Sequence, residues 1–169
     1  MKPTAGSVPV LHPPRRFVVD TMLGTLARWL RALGYDTLYF GQAQDRALRQ
    51  VAIQEDRVLV TRDRRLALLA RPRACLITAE EPDEQLAELL ADLGLAADEE
   101  RWLSRCLDCN TVLTPRNQDE MRGRVPERVL ARHQAFSDCP GCGKVYWPGS
   151  HADRMLERLS RLRGRRGPG

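Results

Sequence analysis

The sequence lacks any apolar stretch long enough to cross a membrane. Its longest uninterrupted apolar run, "LALLA" at residues 66–70, is far shorter than the ~20 residues that a membrane-spanning helix needs. The Pro-rich segment at residues 1–15 also has no apolar core of the signal-peptide type. We therefore expect a soluble, cytoplasmic protein with no membrane partner.

Lysine is nearly missing from a basic chain. Only Lys2 and Lys144 accompany the arginines among 27 basic residues, and the formal net charge is +5. Six arginines against two acids fall after residue 150, and arginine suits bidentate contact with phosphate. Two interpretations of this end stay open: contact with nucleic acid, in which Arg154 and Arg158 are candidates, and a solvated, partly helical tail.

Cysteine is scarce and unevenly placed. Of five cysteines, four form the pairs "CLDC" at residues 106–109 and "CPGC" at residues 139–142. Two such knuckles complete a closed tetrahedral zinc site, which is structural rather than catalytic. The alternative, two redox pairs, is poorer because neither pair follows a strand as in thioredoxin-like proteins. The predicted zinc ligands are Cys106, Cys109, Cys139 and Cys142.

The spacer between the two cysteine pairs is longer than that of a minimal zinc ribbon. We therefore expect an inserted hairpin near residues 111–115 and a helix near residues 126–136.

Strand-like and helix-like patterns alternate four times before the first cysteine pair. The strand candidates are "RFVVD", "YDTLYF", "RVLVT" and "ACLIT", the last with Cys75 as a buried strand residue. Apolar residues at helical spacing follow each of them, with Asp45 and Asp83 at N-cap positions and Gly34 and Gly94 at helix ends. This alternation predicts an α/β domain with a mostly parallel sheet covered on both faces. We expect four segments: a leader at 1–15, the α/β domain at 16–98, a zinc-ribbon domain at 99–150, and a basic helix and tail at 151–169.

Three aspartates follow predicted strands. Asp20 ends the first strand, Asp63 follows the third, and Asp45 opens the helix after the second. The carboxyl ends of parallel strands form one edge, where α/β proteins bind ligands. Three carboxylates meeting there would repel one another unless they bound a divalent cation such as magnesium or manganese.

A cation held in this way polarises a phosphate oxygen and activates water, which predicts phosphodiester hydrolysis. Arg62 and Arg64, on either side of Asp63, would hold a flanking phosphate. Each acid taken alone is as well explained by a helix cap or a turn, so only their common edge supports the joint interpretation.

Two other α/β classes that place acids at this edge are excluded. A phosphoacceptor receiver domain needs an acidic pair after the first strand and a lysine on the last, and a haloacid-dehalogenase-type phosphatase needs D-x-D after the first strand. Here Asp20 is followed by "TMLG", and neither the lysine nor the second aspartate is present.

Four quoted stretches carry a resemblance to a known family. They are "FVVDTMLGTLARWLRALGYDTLYF", "VLVTRDRRL", "SRCLDCNTVL" with "VPERV" downstream, and "FSDCPGCGKVYWPGSHADRM". Over about residues 16–160 the chain resembles PIN-like ribonucleases of the Mut-seven C-terminal RNase type, a PIN-fold nuclease domain followed by a zinc ribbon. The resemblance implies a PIN-like α/β fold, action on RNA with magnesium or manganese, and a structural zinc. It also implies that Asp20, Asp45 and Asp63 are the metal-binding acids, with Glu80, Glu81 and Asp83 as candidates for a fourth.

Two functions remain open at this point. The first is a metal-dependent ribonuclease in which the ribbon and the arginines Arg62, Arg64, Arg154 and Arg158 grip single-stranded RNA. The alternative is a non-catalytic RNA-binding or adaptor protein with a degenerate site; a growth-inhibiting toxin is a third, weaker hypothesis. Tyr146 and Trp147 would brace the zinc module or stack on bases, and Trp29 belongs to the core or the helix surface.

Overall fold

The computed structural model describes residues 15–95 and 98–164. Its first unit alternates strands and helices as the sequence predicts. The strands are β1 (Phe17–Val19), β2 (Thr37–Tyr39), β3 (Val58–Thr61) and β4 (Ala74–Leu76). The helices are α1 (Gly24–Ala32), α2 (Asp45–Gln54), α3 (Arg64–Leu69) and α4 (Pro82–Asp92), and a 3-10 turn at Thr21–Leu23 precedes α1. The four strands pair in parallel in the order β2-β1-β3-β4.

Both faces of this sheet are buried, which confirms the predicted α/β architecture. Because side chains alternate along a strand, Phe17 and Val19 of β1 face one core, and Val18 faces the other. The first core includes side chains of α1 and α4, and the second includes Leu48 of α2 and Leu66 of α3. Cys75 of β4 is buried as predicted, and burial raises the pKa of its thiol to about 11.

Helix ends agree with the predictions, whereas two predicted helix starts are wrong. Gly34 and Gly94 have φ values of +85° and +58°, the left-handed conformation that ends helices. Asp45, however, is the first residue of α2, and Asp83 lies in the first turn of α4. The extended N-cap residues are Gln44 and Glu81, neither of which makes a side-chain capping bond. An acid within the first turn also interacts favourably with the helix dipole. An aspartate at the start of a predicted helix therefore does not distinguish the N-cap position from the first turn.

The second unit is a three-stranded antiparallel sheet with a small core. Its strands are β5 (Thr114–Asn117), β6 (Ala135–Asp138) and β7 (Val145–Tyr146), and α5 (Glu127–Leu130) lies between the first two. The expected hairpin near residues 111–115 forms with the first knuckle, where Val112 bridges Arg105 in antiparallel fashion and the Cys106 amide donates to the Thr111 carbonyl at 2.8 Å. β5, which follows it, pairs with β6 across the spacer. The expected helix forms but is only four residues long.

The last helix, α6 (Ser150–Gly164), packs back onto the first unit. Leu159 and Leu162 join the core that contains α1 and α4. Arg158 donates from Nε to Asp83 Oδ1 at 2.7 Å, and its guanidinium lies 4.9 Å from the centre of the buried Trp29 ring. Most of the predicted basic tail is therefore a packed helix, while residues 165–169 lie outside the described part of the chain. None of the helices described is both long and apolar enough to span a membrane.

Candidate active site and metal centre

The strand order places the three predicted acids around one edge of the sheet. Asp20 directly follows the central strand β1, and Asp63 lies just beyond its neighbour β3. Asp45 begins the helix that follows β2, on the other side of β1. All three strands run in the same direction, so the aspartates share the carboxyl edge.

Thr61 connects two of these acids. Asp20 is only 7% exposed; its Oδ1 accepts a hydrogen bond from the Thr21 amide at 2.6 Å, and its Oδ2 accepts one from Thr61 Oγ1 at 2.6 Å. The same Thr61 hydroxyl accepts from the Asp63 amide at 3.0 Å. Thr61 is not among the residues predicted from the sequence, although a hydroxyl residue that ends "VLVT" two positions before Asp63 is a signal for it.

Asp63 and Asp45 are exposed at the surface. Asp63 is the N-cap of α3, where its Oδ1 accepts hydrogen bonds from the amides of Arg65 at 2.7 Å and Leu66 at 2.9 Å. Asp45 lies in the first turn of α2. Asp63 therefore shapes the turn after β3 in addition to presenting a carboxylate at the edge.

The spacing of possible metal ligands differs between the two ends of the sheet. In the described ranges, the four paired cysteines are the one group of three or more potential ligands whose donor atoms all lie within 4.8 Å of one another. The structure thus links the Asp20 carboxylate to the backbone amide of Asp63 through Thr61, and it does not gather the three carboxylates at that spacing. Carboxylate oxygens are the donors that magnesium and manganese prefer, so the donor type at the edge fits such an ion.

The three candidates for a fourth acid differ in their surroundings. Glu80 is exposed, and its Oε1 lies 3.9 Å from Arg62 Nη2. Glu81 is the extended N-cap residue of α4, and Asp83 is occupied by its ion pair with Arg158. Glu80 is therefore the candidate placed beside an arginine of the proposed site.

The four predicted RNA-binding arginines also differ in availability. Arg64, the first residue of α3, and Arg154 on α6 are exposed, and Arg62 is partly exposed. Arg158 is committed to Asp83 and Trp29. The structure thus gives Arg158 a packing role and leaves the other three open to solvent.

The four cysteines of the two knuckles form a compact cluster. Cys106 and Cys142 Sγ atoms lie 3.6 Å apart, and those of Cys109 and Cys139 lie 3.2 Å apart. Four thiolates around one zinc at 2.3 Å would be spaced by about 3.8 Å, so this donor set fits such an ion with a small expansion. The cluster can therefore hold a metal such as zinc, and neither His133 nor His151 belongs to it.

Hydrogen bonds prepare two of these thiols for deprotonation. The bond between Cys109 Sγ and the Thr111 hydroxyl, at 3.3 Å, is the main cause that lowers the pKa of Cys109 to about 6. Burial opposes ionisation of Cys106, but the Tyr146 hydroxyl at 3.1 Å and backbone amides outweigh it and lower the pKa of that thiol. Thiolates are the metal-binding form of cysteine, so the surroundings of Cys106 and Cys109 favour the ligand state of these two residues.

The first knuckle docks against the amino-terminal edge of the parallel sheet, opposite the aspartates. Asn110, at φ +71°, accepts a hydrogen bond from the Thr37 amide at 2.8 Å and donates to Asp36 at 2.8 Å. The buried Arg31 donates from Nη1 to the carbonyls of Leu107 and Asp108, at 2.9 and 2.8 Å. These contacts join the cysteine cluster to α1 and to the start of β2.

Comparison with known families identifies a matching family. The family model described as Mut7-C RNAse domain matches residues 15–159, a span that includes the aspartate edge and all four paired cysteines. No curated protein and no solved structure matches the chain. The family match indicates a ribonuclease-type function with RNA as the substrate.

Proposed function

Because the chain belongs to the Mut7-C RNAse domain family, we propose that it is a metal-dependent ribonuclease that hydrolyses phosphodiester bonds in single-stranded RNA. One observation supports the location of the site: Thr61 joins Asp20 and Asp63 at the carboxyl edge of the parallel sheet. The proposed catalytic residues are Asp20, Asp45 and Asp63.

We assign to these aspartates the binding of magnesium or manganese. Such an ion supplies Lewis-acid chemistry to the phosphodiester. Asp20 is the fixed member of the set because Thr61 and the Thr21 amide hold its two oxygens. Asp63 and Asp45 are exposed and would turn toward Asp20 when the ion binds. Exposed Arg64 and partly exposed Arg62 would contact a neighbouring phosphate.

The four-cysteine cluster is proposed to hold zinc in a structural role. Four thiolates leave no open position on a tetrahedral ion, and the knuckle lies at the edge opposite the aspartates. In this proposal the chain is divided into a nuclease domain at 16–98, a ribbon at 99–150 and a basic C-terminal segment at 151–169. The ribbon and the exposed arginines would then contribute to RNA binding.

The test is cleavage of end-labelled single-stranded RNA by purified protein with magnesium or manganese. Asp20→Asn and Asp63→Asn should each lower the rate by at least a hundredfold, since each removes a charged ligand. Asp56→Asn is the matched control, because Asp56 lies just before β3, at the opposite end of the strand that leads to Asp63. Equal degradation by wild type and Asp63→Asn would show that the nuclease is a contaminant.

A non-catalytic RNA-binding or adaptor protein is the second candidate function. It is favoured by the structural roles of the acids, since Asp63 caps α3 and Asp20 accepts a hydrogen bond from the Thr21 amide. This candidate predicts RNA binding without cleavage under every metal condition. Binding that is unchanged in Asp20→Asn and Asp63→Asn, together with no cleavage by wild type, would establish it over the ribonuclease.

A further inference from the structure

We propose that a cavity between the ribbon, α1 and α6 binds unpaired bases of single-stranded RNA; this inference rests on the proposed function and adds a second contact region for the same substrate. We call it the seam cavity. It has a volume of about 620 Å³, within the range of ligand sites. Its lining includes Arg28 of α1 and Arg105, Lys144, Tyr146 and Trp147 of the ribbon.

Two neighbouring aromatic residues in the cavity have different tasks. The Tyr146 hydroxyl contacts Cys106 Sγ at 3.1 Å and accepts from the Leu107 amide at 3.2 Å, so this ring braces the metal centre. Trp147 is 36% exposed, whereas Trp29 is 7% exposed. A Cβ on Gly149 would lie 3.1 Å from Trp147 Nε1, so the Trp147 ring rests directly on this glycine. The cavity therefore presents a supported aromatic ring, which is the surface on which unpaired bases stack.

The wall around this ring is largely apolar, and its charged side chains have an excess of positive charge. Arg28 and Lys144 both pair with a single carboxylate, that of Asp108, and the side chains of the two cations are 54% and 50% exposed. Arg105 also lines the cavity and donates to the carbonyls of Gly34 and Asn110. With Asp153 as the other acid of the lining, three cations face two carboxylates. An aromatic platform beside such cations is suited to a single-stranded polyanion.

Arg28 connects the cavity to the aspartate edge along α1. Gly24, the first residue of α1, follows Asp20 by four residues, and Arg28 is four residues further on. One helical turn rises about 5.4 Å, so Arg28 lies little more than a turn from the end of α1 that faces the acids. A strand bound in the seam cavity could continue along the exposed side of α1 to the carboxyl edge. Duplex RNA would not bind in this way because its bases are stacked inside the helix.

The test is binding of a short unstructured RNA to the full chain, measured in the Asp63→Asn background so that cleavage does not interfere. Trp147→Ala should weaken binding by about tenfold, the effect of losing one base–aromatic stack. Arg28→Ala should weaken it and reduce the slope of log K against log salt by about 0.7, the value for one phosphate contact on a single strand. Intrinsic tryptophan fluorescence should be quenched by the RNA, and the quenching should be lost in Trp147→Ala.

Two control variants carry comparable changes elsewhere. Leu68→Ala removes an exposed apolar side chain of α3, and Arg122→Ala removes an exposed arginine of the ribbon that pairs with Asp119. Neither lines the seam cavity, and both should bind RNA as the background does. Trp147→Phe, which keeps an aromatic ring, should retain most of the affinity and covers the case in which Trp147→Ala misfolds.

Several results would overturn the inference. One is wild-type affinity in folded Trp147→Ala, or in Arg28→Ala when Trp147→Ala is unfolded. Another is equal binding of duplex RNA. A change in sedimentation of Trp147→Ala with unchanged RNA affinity would instead identify a second copy as the occupant. Cleavage by the wild type separates this test from the proposed function: binding that depends on Trp147 without any cleavage would refute only the catalysis, and cleavage without that dependence would refute only the seam cavity.

Discussion

At the scale of single residues, Thr61 has the most specific position at the carboxyl edge. Its buried hydroxyl donates to the Asp20 carboxylate and accepts from the Asp63 amide. The Thr61 side chain thus orients the Asp20 carboxylate and fixes the backbone that leads to Asp63. It acts on the proposed reaction through Asp20 and is a positioning residue.

We therefore predict that Thr61→Val slows RNA cleavage while the chain stays folded. The substitution keeps the shape but removes a hydrogen bond to a charged group, a loss of about 1.5–3 kcal/mol, so the rate should fall by roughly ten- to a hundredfold. Thr61→Ser should retain most activity. Thr78→Val is the control, because Thr78 makes a similar 2.7 Å bond to Glu88 without touching either aspartate. Equal activity in Thr61→Val and Thr78→Val would contradict the positioning role.

The sequence identifies some of these residues because their signal is local. Asp20 and Asp63 are polar residues that end apolar strands, and the cysteine pairs have the spacing of one metal site. Thr61 has no such signal, since threonine is common in strands and its role depends on β1 and β3 being neighbours. The commitment of Arg158 to Asp83 also depends on packing across the chain.

A second residue-scale prediction concerns Asp36, which precedes β2. Burial acts to raise the pKa of its carboxyl, but hydrogen bonds from Arg57 at 2.7 Å and Asn110 at 2.8 Å outweigh burial and hold that pKa below its usual range. A carboxyl with a lowered folded-state pKa stabilises the protein above its unfolded pKa of about 3.9, and this stabilisation is lost as the pH falls through the lower folded value.

Asp36→Asn should consequently be less stable than wild type at pH 7, with the difference shrinking below about pH 4. Urea unfolding at pH 7, 5, 4 and 3 measures this effect. Asp56→Asn, which removes a more exposed acid that pairs with Arg73, is the matched control for the loss of one carboxylate. A constant difference between Asp36→Asn and wild type at every pH would exclude the titration of Asp36 as its cause.

At the scale of elements, the packing position of α6 is the feature that the sequence did not predict. The four strands and four helices of the first unit are predictable from the sequence because their apolar residues recur at the spacing typical of a strand or a helix. In α6, Leu159 and Leu162 are separated by charged and polar residues in an Arg-rich segment, which reads equally well as a solvated tail. Their burial depends on the surface that α1 and α4 offer.

We predict that Arg158→Ala loosens α6 and lowers the free energy of unfolding by about 1 kcal/mol. The ion pair with Asp83 is partly exposed and contributes at most about 1 kcal/mol, and the contact with Trp29 adds about 0.5–1 kcal/mol. Arg161→Ala, at an exposed position of the same helix, should leave stability within about 0.5 kcal/mol of wild type. Urea unfolding compares the two variants, and equal losses would show that the Asp83 and Trp29 contacts add nothing specific.

At the scale of the whole molecule, the parallel sheet has different chemistry at its two edges. The carboxyl edge carries Asp20, Asp45 and Asp63, and the amino edge carries the cysteine knuckle. α1 extends between the edges and contributes Arg28 to the seam cavity and Arg31 to the knuckle. This arrangement makes the four-cysteine cluster part of the support of the first unit as well as of the ribbon.

Removal of the metal should therefore destabilise the parallel sheet together with the ribbon. Without the ion the knuckle would lose its fixed conformation, and with it the bonds from Arg31 to Leu107 and Asp108 and from Asn110 to Thr37 and Asp36. Four hydrogen bonds at about 1 kcal/mol each correspond to a loss of about 4 kcal/mol of stability, or a fall in the melting temperature of roughly 20 °C for a domain of the size of the first unit. Hydrogen exchange of β1 and β3 amides, with and without a zinc chelator, measures this loss of stability directly in the sheet. Asn110→Gly, which suits the positive φ but removes both side-chain bonds, should lower protection in the metal-bound chain and reduce the further effect of chelation. Unchanged protection of β1 and β3 after zinc loss would mean that the ribbon folds around its metal independently of the sheet.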